Sequence, residues 1–99
     1  MISGVPQVVF GNYEWDEAKA ALNLQKHGVS FAEALSALDD PRAVYVDAGE
    51  DVEPRFAAIG MSAAARLLFV VHVERGERDR IVSARLATTD EETLYTKGP

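Results

Sequence analysis

The sequence predicts an α+β fold: two N-terminal helices and a short C-terminal helix packed on an antiparallel sheet of about four to five strands. Three observations carry that expectation. Residues 66–85 form two apolar runs of strand type, rich in Val, Phe and Ile, joined by the charged turn Arg75-Gly76-Glu77-Arg78-Asp79. Ahead of them lie two short stretches with helical spacing, each with its own start signal. The later strands follow one another through short connections, which implies a meander of hairpins with the helices laid on the sheet.

Taken in order, residues 1–7 carry Gly and Pro and read as a loose leader. A first strand falls somewhere in 8–15, with Gly11-Asn12 as a turn signal inside it. Asp16 is a good N-cap, because its carboxylate can accept from the free amides of a first helical turn. Ala18, Ala21, Leu22 and Gln25 recur at helical spacing, and Gly28 ends the helix, so a helix is expected at about 17–27. Ser30 and Glu33 have capping-box spacing, and Phe31, Ala34, Leu35 and Leu38 make the apolar stripe of a second helix that Asp40-Pro41 stops. Strands follow at 42–47 and 55–61, with an acidic loop at 48–54 between them. Next comes the central hairpin. In strict alternation, Leu68, Val70, His72 and Glu74 share one face of it. Leu67, Phe69, Val71 and Val73 share the other. On the return strand Arg80, Val82, Ala84 and Leu86 fall together, and so do Ile81, Ser83 and Arg85. Thr88 or Thr89 caps a short last helix, and 96–99 is a frayed tail.

The 99 residues make one domain, 1–99, long enough for a core without staples. With no cysteine there is no disulfide framework and no cysteine zinc site, and two histidines do not make a metal site, so no cofactor or metal is expected. No apolar run reaches membrane-spanning length and the N-terminus lacks a signal-peptide pattern, so a cytoplasmic protein with no membrane partner is expected. The net charge of −6 is uneven. Residues 1–54 hold three basic residues against ten acids, whereas 55–99 hold seven against six. Any basic footprint for nucleic acid is therefore local, on the sheet half.

No nucleophile elbow, P-loop or dinucleotide fingerprint is present. The chemistry available is a set of cations: Lys26, His27, Arg66, His72, Arg75, Arg80 and Arg85. Three or four of them around a groove would suit RNA. Cleavage of RNA through its own 2′-OH needs a base, an acid and cations for the charge that builds on phosphorus, and it needs no metal. Spacing alone leaves milder readings open. Lys26 and His27 suit a helix C-terminus, His72 suits a semi-buried strand position, and Trp15 suits packing as well as stacking on a base.

The residues together resemble the BrnT toxin family. Glu14-Trp15-Asp16-Glu17-Ala18-Lys19-Ala20, Asn23, Lys26-His27-Gly28-Val29-Ser30-Phe31-Ala32-Glu33-Ala34 and Asp40-Pro41 look like its N-terminal signature. Glu53, Arg55, Gly60, Arg66-Leu67-Leu68-Phe69-Val70-Val71-His72, Arg80-Ile81-Val82-Ser83-Ala84-Arg85, Ala87 and Tyr95 match the remainder, so the resemblance runs from about 13 to 95. It implies a RelE-like fold and a type II toxin: an endoribonuclease that cleaves RNA and inhibits translation. It implies a partner as well, a BrnA-like ribbon-helix-helix antitoxin, in a heterotetramer that meets operator DNA only through the antitoxin. Carried across by motif, the catalytic candidates are Lys26, His27, Arg66, His72 and Arg85, and the RNA-binding candidates are Lys19, Arg75 and Arg80.

Two further readings stand beside this one. The acidic run Asp90-Glu91-Glu92 would meet a basic partner, which suits a catalytically weakened BrnT-like binding module acting as partner or co-repressor of the antitoxin. A small-molecule or metal enzyme is the weaker third, because no carboxylate set stands at ligand spacing.

Overall fold

The computed structural model describes residues 7–50 and 54–98. Its elements run β1 (Gln7–Phe10), β2 (Tyr13–Asp16), α1 (Glu17–His27), α2 (Phe31–Leu38), β3 (Val44–Glu50), β4 (Pro54–Met61), β5 (Leu67–Arg75), β6 (Arg78–Leu86) and α3 (Thr89–Lys97). The strands form one six-stranded sheet in the order β1-β2-β6-β5-β4-β3.

The fold is α+β as expected, with more strands than the four to five anticipated. The apolar stretch before the first helix is a hairpin of two strands, turned at Gly11, whose φ of 63° is the left-handed conformation a tight turn uses. The sheet is also mixed rather than antiparallel, since β2 lies parallel to β6 through Tyr13↔Asp79 and Glu14↔Arg80. The two N-terminal helices therefore follow a pair of strands instead of the single strand expected ahead of them. Gln7, assigned to the leader, is the first residue of β1, and residues 1–6 lie outside the described residues. The expected acidic loop is shorter, because β3 continues to Glu50; residues 51–53 lie outside the described residues. The last helix keeps Thr96 and Lys97 rather than fraying there.

The helix ends follow local chemistry. Asp16 accepts from the amides of Ala18 and Lys19 at 2.8 and 3.2 Å, and Gly28, at φ 70°, returns its N–H to the Leu24 carbonyl. Ser30 caps α2 by accepting from the Glu33 amide. The core lies between α2 and one face of the sheet. Val29, Phe31, Ala34, Ala37 and Leu38 pack there against Ala58, Leu68, Val70, Ile81 and Ala84. Trp15 meets Phe31 edge to face at 6.1 Å and is 7% exposed, so it is a packing residue. Fully burying a side chain such as Phe31 contributes about 1.5–3 kcal/mol. Gly60 is where α2 comes closest to the sheet: a Cβ there would sit 2.3 Å from the Ala37 carbonyl oxygen.

Helix α1 docks differently. Its buried residue is Asn23, whose amide donates to the carbonyls of Val29 and Ala84 and accepts from the Ala84 N–H. Asn23 thus pairs with the backbone edge of β6 beyond the point where β2 stops, as a neighbouring strand would. Helix α3 buries no residue. It is tied down by Tyr95, which donates to Asp40 at 2.6 Å, and by Glu91, which accepts from Arg85.

Strict alternation fails at one place in the central hairpin. Val71 pairs with Ser83 but His72 pairs with Ile81, so Val82 is an extra residue, a β-bulge. Ile81 therefore joins Ala84 on the core face instead of joining Ser83. Arg80 pairs with Val73, Ser83 with Val71 and Arg85 with Phe69, so all three lie on the face away from the core.

Candidate functional site

The face opposite the core carries Arg75, Arg80 and Arg85. Arg85 lies with its guanidinium 4.2 Å above the centre of the Phe69 ring, a cation–π contact. It makes two parallel hydrogen bonds to the Glu91 carboxylate, at 2.8 and 2.9 Å, and a third to the Leu86 carbonyl. This pairing raises the Arg85 pKa further and holds the Glu91 carboxyl below the usual range. Glu91 also closes the capping box of α3 by accepting from the Thr88 amide.

Beside Arg85 on the strand, Val82 and Ser83 form the wall shared by two adjoining grooves. One groove is lined by Lys19, Leu22, Asn23, Lys26 and His27 of α1 together with Val82 and Ser83. Lys19, Asn23, Lys26 and His27 recur there because spacings of three and four residues stack side chains on one helix face. The other groove, of about 420 Å³, has Phe69, Val71 and Val82 as its apolar lining, with Lys19, Arg55 and Ser83 as polar lining. Arg80 shares this sheet face but is held by Glu14 at 2.8 Å, both side chains largely buried. Arg75 lies on the same face by alternation, at the exposed hairpin end opposite Arg78.

Two other candidates sit elsewhere. Arg66 donates through Nε to Glu33 at 2.9 Å and forms an ion pair with the same carboxylate through Nη2, which also donates to the Gly28 carbonyl at 2.9 Å. The Glu33 carboxyl is held below its usual range by Arg66 first and then by the Ser62 hydroxyl. Glu33 therefore turns toward Arg66, leaving its expected capping box half formed: Ser30 caps, but Glu33 does not reach back. Arg66 reaches the site indirectly, through Gly28, the cap directly after His27.

His72 faces the core side, paired with Ile81 and flanked by Tyr45 and Phe56 at ring-centre distances of 6.4 and 6.1 Å. It is 6% exposed, and neither ring nitrogen has a hydrogen-bond partner. Its nearest charge is Asp79, 3.7 Å from Nδ1. Burial pushes its pKa down, against the pull of Asp79.

Sequence reasoning passed over Ser83, Phe69 and Arg55 as groove residues, and Glu14 and Glu91 as the acids that hold Arg80 and Arg85. Ser83 and Phe69 stood in strand patterns that read as packing, and Arg55 stood at the end of an acidic loop. Among the described residues, no group of three or more His, Asp or Glu is placed to hold a metal ion. No helix among them is long and apolar enough to cross a membrane.

A mixed sheet with one face carrying arginines and flanked by a lysine- and histidine-bearing helix is an arrangement suited to a polyanion, and the comparisons name the class. The family model described as "Ribonuclease toxin, BrnT, of type II toxin-antitoxin system" matches residues 15–91, and the chain belongs to that family. It is therefore a BrnT-type ribonuclease toxin, a class that works with a cognate antitoxin. Among solved structures it is similar to the Brucella abortus ribonuclease toxin BrnT, at 27% identity and a TM-score of 0.59, over 76% of this chain and 94% of that one. No curated protein matches the chain significantly.

Proposed function

We propose that this protein cleaves RNA on the sheet face that carries Arg85, without a metal, and that this cleavage stops translation. One observation carries the reading. Lys19, Lys26 and His27 of α1 line one groove with Ser83, two residues from Arg85 on β6. That groove gives phosphates several cations and gives a 2′-OH a titratable neighbour. In this reading His27 takes the proton of the 2′-OH as its oxygen bonds to phosphorus and returns it to the 5′-oxygen as the P–O5′ bond breaks, Lys26 and Arg85 meet the charge on the phosphorane, and Lys19 holds a neighbouring phosphate. Arg80, neutralised by Glu14, orients β2 against β6, and Arg75 serves flanking phosphates from the hairpin end. Arg66 is a positioning residue acting through Gly28, and His72 stays outside the chemistry. The whole of 1–99 is one domain of RelE-like type, acting in the cytoplasm. Its antitoxin is a BrnA-like ribbon-helix-helix protein, in a heterotetramer that meets operator DNA only through the antitoxin.

The test is induction of the wild-type gene alone in a bacterial host, beside Lys26→Ala and Arg85→Ala versions. Growth arrest with decay of total RNA in the wild type, relieved by either substitution, is the expected result. Normal growth with soluble, folded wild-type protein would overturn it. That result would favour the second reading, a binding module that has lost catalysis. The Arg85–Glu91 pair speaks for that reading, because it already satisfies the arginine a phosphate would need.

A further inference from the structure

The two grooves share a wall but differ in chemistry, and the difference matches the two parts of a nucleotide. The groove beside Lys26 and His27 suits a phosphate. The adjoining one is apolar where Phe69, Val71 and Val82 line it and cationic only at Lys19 and Arg55. At about 420 Å³ it falls within the roughly 300–1,000 Å³ typical of small-ligand sites. We propose that it takes an unpaired nucleobase whose phosphate lies across the Val82–Ser83 wall, so that the RNA is single-stranded where this face engages it. The proposal rests on the ribonuclease reading for the identity of the nucleic acid, and deepens it.

Three features argue for this occupant. The bulge at Val82 is what builds the wall: in regular alternation Val82 would turn to the core face, whereas here Val82 and Ser83 both line the groove. Bulges that re-aim a side chain are concentrated beside functional sites. Next, an apolar lining in a cationic rim is the arrangement single-stranded nucleic acid uses, since every base has an apolar face and every backbone unit a charge. Arg85, held over the ring of Phe69, keeps that lining side chain in place beside a cation. Finally, a base inside a duplex is stacked on both sides and cannot enter a lateral groove without being flipped out. Ser83 supplies one hydroxyl for a base edge.

The experiment measures binding of the full chain to three fluorescent RNAs carrying 2′-O-methyl groups, which cannot be cleaved through the 2′-OH. One is a short single strand, one is the same strand with abasic sugars at its centre, and one is its blunt duplex. The expected result is that the intact strand binds about tenfold more tightly than the abasic strand or the duplex. Val82→Leu, which narrows the groove with a side chain that offers bases no aromatic face and leaves the cations in place, should shrink the difference between intact and abasic strands. Val71→Ser, which makes the lining polar instead of narrowing it, should have the same effect and serves where circular dichroism shows that the first variant is unfolded. Equal binding of intact and abasic strands by the wild type would overturn the base site while leaving the ribonuclease reading standing. A wild type that prefers the intact strand yet leaves an unmodified version uncut would support the base site and sink the ribonuclease reading. Failure to bind any of the three at low salt would overturn the proposal.

Discussion

At the scale of single residues, side chains that do two tasks decide how this chain behaves. Asn23 is one. It lies on a mostly exposed helix, yet its amide satisfies the N–H and C=O of Ala84 together with the carbonyl of Val29. Asn23→Ala would leave those groups buried and unpaired, so it should cost about 2–3 kcal/mol of stability, read as a lower urea midpoint. An unchanged midpoint would mean that water replaces the amide and that α1 is held by something else. Glu91 is another: it caps α3 and occupies Arg85 at once. Glu91→Gln keeps a cap acceptor and removes the charge opposite Arg85. RNA affinity should rise, with a steeper salt dependence, because a freed arginine can release one more counterion from RNA. Affinity with an unchanged salt slope would show that Arg85 never meets a phosphate. From the sequence, Glu33 was visible as a capping residue and Glu91 as part of an acidic run at the start of the last helix, neither as the holder of an arginine. Capping is written in local spacing, whereas their arginine partners at 85 and 66 are brought by the fold.

At the scale of elements, the helices and the meander from β3 to β6 were legible, whereas the pairing of β2 and the bulge in β6 were not. Asp16, Gly28, Ser30 and Thr88 mark helix ends by bonds to their own neighbours, so α1, α2 and the start of α3 could be placed from the chain alone. The parallel contact of β2 with β6 joins residues more than sixty positions apart, and nothing in Tyr13-Glu14-Trp15 announces it. The bulge was hidden for a different reason. Ile81-Val82-Ser83 keeps strand chemistry on both sides, so only the register against Val71 and His72 reveals the extra residue. That one residue moves Arg80 onto the face of Arg85, takes Ile81 into the core and puts Val82 in the groove wall. Gly60 gives the element scale its own test. Its Cβ position is filled by the backbone of α2 at Ala37, which cannot move as a flexible side chain would. Gly60→Ala should therefore cost about 3 kcal/mol, seen as a fall in melting temperature, while the conformation at Gly60 itself needs no glycine. A harmless Gly60→Ala would mean that α2 slides freely on the sheet.

At the scale of the whole molecule, three carboxylates tie distant elements together, and one buried imidazole works against them in acid. Glu33 bonds to Arg66 and Ser62 across the core side, Glu91 bonds to Arg85, and Asp40 joins the end of α2 to Met61 and Tyr95. Arg66 and Arg85 hold the first two below the ordinary value of 4.5. Burial pushes Asp40 upward, but its hydrogen bonds from Tyr95, Met61 and Arg42 leave it below 3.8. A carboxyl held low in the fold stabilises it above the ordinary value, and that contribution drains away as pH falls through the folded value. His72 has the same sign at a higher pH. Its pKa is depressed below 6.5 by burial, so the unfolded chain takes up a proton that the folded chain resists, and stability falls as pH drops from there. Acid should then destabilise the protein in two stages, the first from His72 and the second from the carboxylates. His72→Phe fits an apolar site between Tyr45 and Phe56 and removes the proton acceptor. Its melting temperature should stay level between about pH 7 and pH 5, where the wild type declines, and then fall with it in stronger acid. The same variant should cleave RNA as the wild type does, because His72 lies across the sheet from Arg85. Loss of cleavage by a stable His72→Phe protein would place the imidazole in the chemistry and move the site to the other face.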